Sequence, residues 1–120
     1  EIYTLSLHDA LPISASIAES TAATNQIVAL NGSDLIYVCG YKLVVQASSS
    51  MQWKYGTGAD CATGTTSIEG AQVLAANGVE IENGAGYPLF IVPAGNALCL
   101  TSTVATAQGG RVTYVRTAAP

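Results

Sequence analysis

From residue 25 onward the chain alternates apolar and polar residues in short runs, each closed by Gly, Asn or Pro. That period of two is the signature of half-buried strands. Asn25–Leu30 ends at Asn31-Gly32, a strong turn pair. Leu35–Ala47 is long and contains Gly40, and a glycine within a strand predicts a bulge or bend. In Met51–Tyr55, Met51, Trp53 and Tyr55 share one face while Gln52 and Lys54 share the other. Gly56–Thr66, rich in Gly and Thr, predicts a loop. Ser67–Ala76 leads to Asn77-Gly78, after which Val79 and Ile81 alternate with Glu80 and Glu82, a pattern that predicts a tight hairpin. Asn83–Tyr87 is another glycine-rich turn, and Pro88–Val92 a short apolar strand closed by Pro93-Ala94-Gly95-Asn96. Ala97–Ser102 sets Leu98 and Leu100 opposite Cys99, and Gln108-Gly109-Gly110 turns into Arg111–Arg116, where Val112 and Tyr114 share a face.

Eight strands with no convincing helix predict an all-β fold, an antiparallel eight-stranded β-sandwich that is jelly-roll-like in strand number. The expected domain is 25–117, preceded by a small, polar, flexible or extended arm at 15–24 and followed by a tail at 118–120. The alternation nominates a core of Val28, Leu30, Ile36, Val38, Trp53, Tyr55, Val79, Ile81, Leu89, Ile91, Leu98, Leu100, Val112 and Tyr114. There is no internal repeat and no heptad.

Charge changes the picture of the surface. Lys and Arg number 4 and Asp and Glu 8 in 120 residues, so 10% of the chain is charged and the net charge is −4. An ordinary soluble domain carries about 25% charged residues. Four scattered basic residues make no electrostatic footprint for nucleic acid, so a nucleic-acid partner is not expected. No apolar run approaches the ~20 residues of a membrane helix, so no membrane partner is expected either. Faces that ordinarily carry Lys and Glu carry Thr, Ser, Ala and Gln here, and low surface charge favours association. We expect those faces to be covered by copies of the chain or by a larger assembly, with a poorly charged monomer as the alternative.

Residues 1–14, EIYTLSLHDALPIS, resemble, codon by codon, the in-frame translation of a common sequencing adapter. A signal peptide fits less well, because the basic leader is missing and His8 and Asp9 interrupt the apolar stretch. On the adapter interpretation His8, the only histidine, has no functional role and the native N-terminus is missing.

Candidate chemistry is thin, and the chain is expected not to be an enzyme. Gly56-Thr57-Gly58 superficially matches a phosphate loop, but strand-like sequence follows it where the motif needs a helix N-terminus. Cys39, Cys61 and Cys99 lack zinc-ligand spacing, and with His8 set aside no Cys–His nucleophile can be built. One disulfide is favoured over three buried thiols, with Cys61 as its first member because its loop has reach; the pairing stays open. Asp34, Asp60, Glu69, Glu80 and Glu82 form no calcium loop, so neither metal nor cofactor is expected. Core packing accounts for Trp53. Tyr41, Tyr87 and the loop around Asp60 remain as a candidate binding surface, since aromatic faces on loops or outer sheets suit ligands and interfaces.

Three segments, LIYVCGYKL (Leu35–Leu43), YGTGADCATGTTSIEG (Tyr55–Gly70) and PLFIVPAGNALCLTST (Pro88–Thr103), with the closing GGRVTYV (Gly109–Val115), carry a family resemblance. Over Thr24–Val115 the chain resembles small jelly-roll virion structural proteins of tailed bacteriophages, the decoration and head-fibre kind. The resemblance implies a homotrimer located in the virion, with the major capsid protein or other virion proteins as partners. It implies no catalytic residue. A glycan- or receptor-binding module of a phage fibre or secreted surface protein is the alternative.

Overall fold

The computed structural model describes residues 12–85 and 87–118. The expectations on His8 and on most of the adapter-like segment therefore lie outside the described residues, as does most of the 118–120 tail. Among the described residues ten strands are formed: β1 (Ile13–Glu19), β2 (Thr24–Val28), β3 (Leu35–Val45), β4 (Ser49–Thr57), β5 (Thr63–Ser67), β6 (Gln72–Leu74), β7 (Val79–Asn83), β8 (Phe90–Val92), β9 (Ala97–Ser102) and β10 (Gln108–Thr117). A 3-10 turn, Ala59–Cys61, separates β4 from β5.

All strand pairs are antiparallel, and the strands form two sheets. The first runs β1-β10-β3-β7, with β8 also on β3; the second runs β2-β9-β4-β5, with β6 also on β4. Their inner faces pack together as a β-sandwich, and Ile36, Val38, Leu43, Met51, Trp53, Leu98 and Val112 fill the space between them. Trp53 stands at the centre, edge-on to Tyr41 at 5.3 Å between ring centroids and tilted against Phe90 at 6.2 Å.

Ten strands replace the expected eight because two segments without alternation also pair. The 15–24 arm contributes most of β1, which runs along β10 from Ile13↔Tyr114 to Glu19↔Gln108 and buries Ile17. It carries Ser and Ala on an edge strand, and Ile17 is the one large side chain it buries. Within the expected Gly56–Thr66 loop, β5 pairs with β4 although every one of its residues is exposed. A strand that buries neither face has no reason to alternate.

Gly40 marks a bulge, one residue away. Thr113 pairs with Gly40 and Tyr114 with Val38, so Cys39 is the extra residue on β3. A bulge inverts which parity faces inward. Before it Ile36 and Val38 point to the core; after it Tyr41, Leu43 and Val45 do. That inversion overturns two expectations. Val79 and Ile81 are not core: Leu43 pairs with Glu80 and Tyr41 with Glu82, so the two glutamates take the inner parity and the two aliphatics face out. Asn77-Gly78 is also not a hairpin, because β6 belongs to the second sheet and β7 to the first. The turn crosses between sheets, tied to β3 and its extension by Val45 N–H donating to Gly78 O (3.1 Å) and Asn77 N–H to Gln46 O (3.3 Å). Leu30 and Ile91 likewise are exposed, and Tyr55 and Leu89 are only half-buried.

One buried polar knot ties the sheets together. The Ser49 and Ser102 hydroxyls lie 3.0 Å apart, and the Gln108 amide donates to Ser102 Oγ (2.6 Å) and Val104 O (2.9 Å). Satisfied in this way, the three side chains add a specific link between β4, β9 and β10 at little desolvation penalty.

Candidate functional site

The two outer faces differ, and the difference begins with the cysteines. Cys99 lies on the outward parity of β9, between inward Leu98 and Leu100. It is bonded to Cys61, 38 residues away, which pins the 3-10 turn onto the second sheet. Cys61, Ala97 and Cys99 form a small buried cluster of their own there. Gly56 makes the close approach feasible: a Cβ at that position would lie 2.9 Å from Thr63 O and 3.0 Å from Cys61 O. Asp60, in left-handed conformation (φ 52°), accepts a hydrogen bond from the Gln26 backbone N–H at 2.9 Å. Its carboxylate therefore serves an irregular stretch of β2 and is engaged within the fold. The rest of this face carries Gln52, Lys54 and the exposed Val73 among hydroxyls, with those of Thr24 and Thr101 2.7 Å apart.

Tyr41 is not on a loop or outer face. It is 4% exposed and part of the core, placed inward by the Cys39 bulge. Only its hydroxyl reaches the open edge between β6 and β7, where the Gln72 amide donates to it and to Glu69 Oε2 (2.8 Å). Gln52 fixes the same corner by donating to Glu69 O at 2.7 Å. Burial pushes the Tyr41 phenol up to about 12, and nearby Glu69, Glu82 and Glu80 push the same way. Burial also raises the Glu69 carboxyl, and the hydrogen bond that a protonated Glu80 donates to the Glu82 carboxylate raises that of Glu80. Every charged group acting on these three is another carboxylate.

The outer face of the first sheet is the opposite case. Val79 pairs with Val44, Ile81 with Lys42, and Ile91 with Tyr37, so an apolar band runs along its β7–β8 margin. Ile81 is 66% exposed. Lys42 and Arg111 pair directly across β3 and β10. Two hollows flank them where glycines withhold side chains. One, about 250 Å³, is lined by Gly40, Tyr41, Lys42, Ile81, Glu82, Asn83, Arg111 and Thr113. The other, about 500 Å³, lies over Gly109 and Gly110 beside Val44, Gln46 and Asn77. Gly110 is obligatory: its φ is 134°, and a Cβ there would stand 1.8 Å from Lys42 O.

Tyr87 does lie on a loop and is 76% exposed. Tyr41, Asp60 and Tyr87 are thus not brought together as one surface. Cys39 is the free cysteine, half-buried at the bulge, with burial raising its thiol. Among the described residues no group of His, Cys, Asp and Glu is arranged to hold a metal ion, and no helix is long and apolar enough to cross a membrane. Pattern reading missed the outer face of the first sheet because its members, Val79 and Ile81, were assigned to the core. The clue was Gly40, since a bulge there reverses the inward set on β3 and hence on β7. Comparison with known proteins finds no matching family model, no matching curated protein and no matching solved structure.

Proposed function

We propose that the chain is a virion structural protein of a tailed bacteriophage, a decoration or head-fibre-type protein that self-associates as a homotrimer and binds the major capsid protein or other virion proteins. The observation that carries this reading is the uncovered outer face of the first sheet, where Val79, Ile81 and Ile91 are exposed together on a domain with very few charges. Exposed aliphatics gathered on one sheet face suit an interaction surface better than a solvated one. The strand pairing supports the jelly-roll assignment. β1 pairs with β10, β2 with β9, β3 with β7 and β8, and β4 with β5 and β6, the nesting of one antiparallel ribbon rolled into two sheets. Counted by position, β5 with β6 and β7 with β8 each fill one place, which returns the eight of a jelly roll.

The test is native mass by light scattering at low micromolar concentration, followed by co-sedimentation with phage capsids stripped of accessory proteins. A trimer that sediments with capsids is expected, and Ile81→Lys weakens both. A monomer that ignores capsids sinks the proposal. The second reading, a glycan- or receptor-binding module, is favoured by one feature, the exposed Tyr87 ring on the β7–β8 loop. It requires saturable glycan binding by the isolated domain that Tyr87→Ala abolishes.

A further inference from the structure

We infer that the outer face of the first sheet receives the acidic β6–β7 edge of a second copy of this chain. The inference rests on the self-association reading and specifies its surfaces. On the face, Lys42 and Arg111 are direct cross-strand partners. Like charges so placed destabilise a sheet unless something opposes them. At the edge, the Gln72 amide bridges the Tyr41 hydroxyl and Glu69, and Glu82 and Glu80 follow on β7 opposite Tyr41 and Leu43, so three carboxylates share one corner. The register sets Lys42 on the outer parity of β3 and Glu80 and Glu82 on the inner parity of β7, and of the three acids only Glu82 reaches the hollow beside Lys42 and Arg111. Each patch gathers like charge, and one intermolecular contact opposes both.

Apolar area accompanies the charge on either side. Ile81 and Val79 border the basic pair, and Val73, 79% exposed on β6, borders the acidic edge next to Gln72. The hollow of about 250 Å³ over Gly40 lies between Lys42, Arg111 and Ile81, open to a side chain from the incoming edge. Edge and face are different surfaces, so the contact is heterologous and every copy offers both halves. The two surfaces adjoin at β7 and face different directions. Successive copies therefore turn relative to one another, and the contact makes a ring where that rotation closes.

Four chains test this by native mass at low micromolar concentration: wild type, the face variant Lys42→Glu/Arg111→Glu, the edge variant Glu80→Lys/Glu82→Lys, and the chain carrying all four substitutions. Circular dichroism establishes that each is folded, and Glu80→Gln/Glu82→Gln stands in for an edge variant that is not. Wild type is expected to be a closed oligomer. Each two-site variant should dissociate at least about tenfold more readily, about 1.4 kcal/mol of association free energy. The four-site chain should reassociate, and an equimolar mixture of the two charge-swapped variants should form mixed complexes. A wild-type oligomer indifferent to either swap overturns the inference and leaves self-association through another surface. A monomeric wild type overturns both. A monomer that binds polygalacturonate through Lys42 and Arg111 overturns it in favour of an anionic glycan on the same face.

Discussion

The two sheets have near-equal inner faces and opposite outer ones. On the second sheet, a disulfide holds a 3-10 turn over β9, Asp60 secures β2, and hydroxyls pair across strands. On the first, glycines hollow the surface, two cations stand side by side, and Val79, Ile81 and Ile91 remain exposed. A domain this poor in charge has few residues with which to solvate a face. The chain covers part of the second sheet's outer face with its own disulfide-held turn and leaves the first sheet's bare. The proposed function rests on that contrast, with association on the first sheet and reinforcement on the second.

Substitutions can break that contrast from either side. The largest effect is expected at Gly110→Ala. The added methyl meets the Lys42 carbonyl at a φ that only glycine adopts readily, and β10 is the strand that joins β1 to β3. The loss should be at least about 4 kcal/mol, seen in urea denaturation as a chain with little or no folded baseline. Next comes Cys61→Ala/Cys99→Ala, which opens a loop spanning 38 residues and frees the turn. Chain-entropy arguments put this at about 4 kcal/mol, and the same variant should leave native mass unchanged if association uses the first sheet. Asp60→Ala removes a single backbone partner and should cost about 1 kcal/mol, measured as a lower thermal midpoint.

The smallest effect has the opposite sign. Glu69 and Glu80 have carboxyls raised above their ordinary value in the folded state, so the native chain holds protons that the unfolded chain has released. Their contribution to stability is therefore greatest below the ordinary carboxylate pKa and is lost as pH rises through the raised values. Glu80→Gln should consequently stabilise slightly at pH 7 and not at pH 4, a crossing that thermal melts at the two pH values would reveal. The Tyr41 phenol, raised from 10.0 to about 12, adds a loss of stability as pH climbs from about 10 to 12.

Particular residues show what pattern reading reaches. Trp53, Leu98, Leu100, Val112 and Tyr114 are core because their strands are regular and covered on the inner face, so alternation reports burial directly. Tyr41, Leu43 and Val45 escape it because Cys39 is bulged and parity changes mid-strand. Val79 and Ile81 look like core for the same reason one strand further on. Of the candidate site residues, Tyr87 is exposed as its loop suggests, whereas Tyr41 is enclosed and Asp60 is engaged by β2.

By itself, the sequence determined that the chain is all-β, where most strands start and stop, and that its surface is short of charge. Those properties are local, written in alternation, turn residues and composition. Only the tertiary structure decided that β1 pairs with β10 across nearly the whole chain, that Cys61 finds Cys99, and which face of the first sheet is left open. Such pairings depend on which strands meet and in what register, and a one-residue slip at Cys39 is enough to exchange inside for outside.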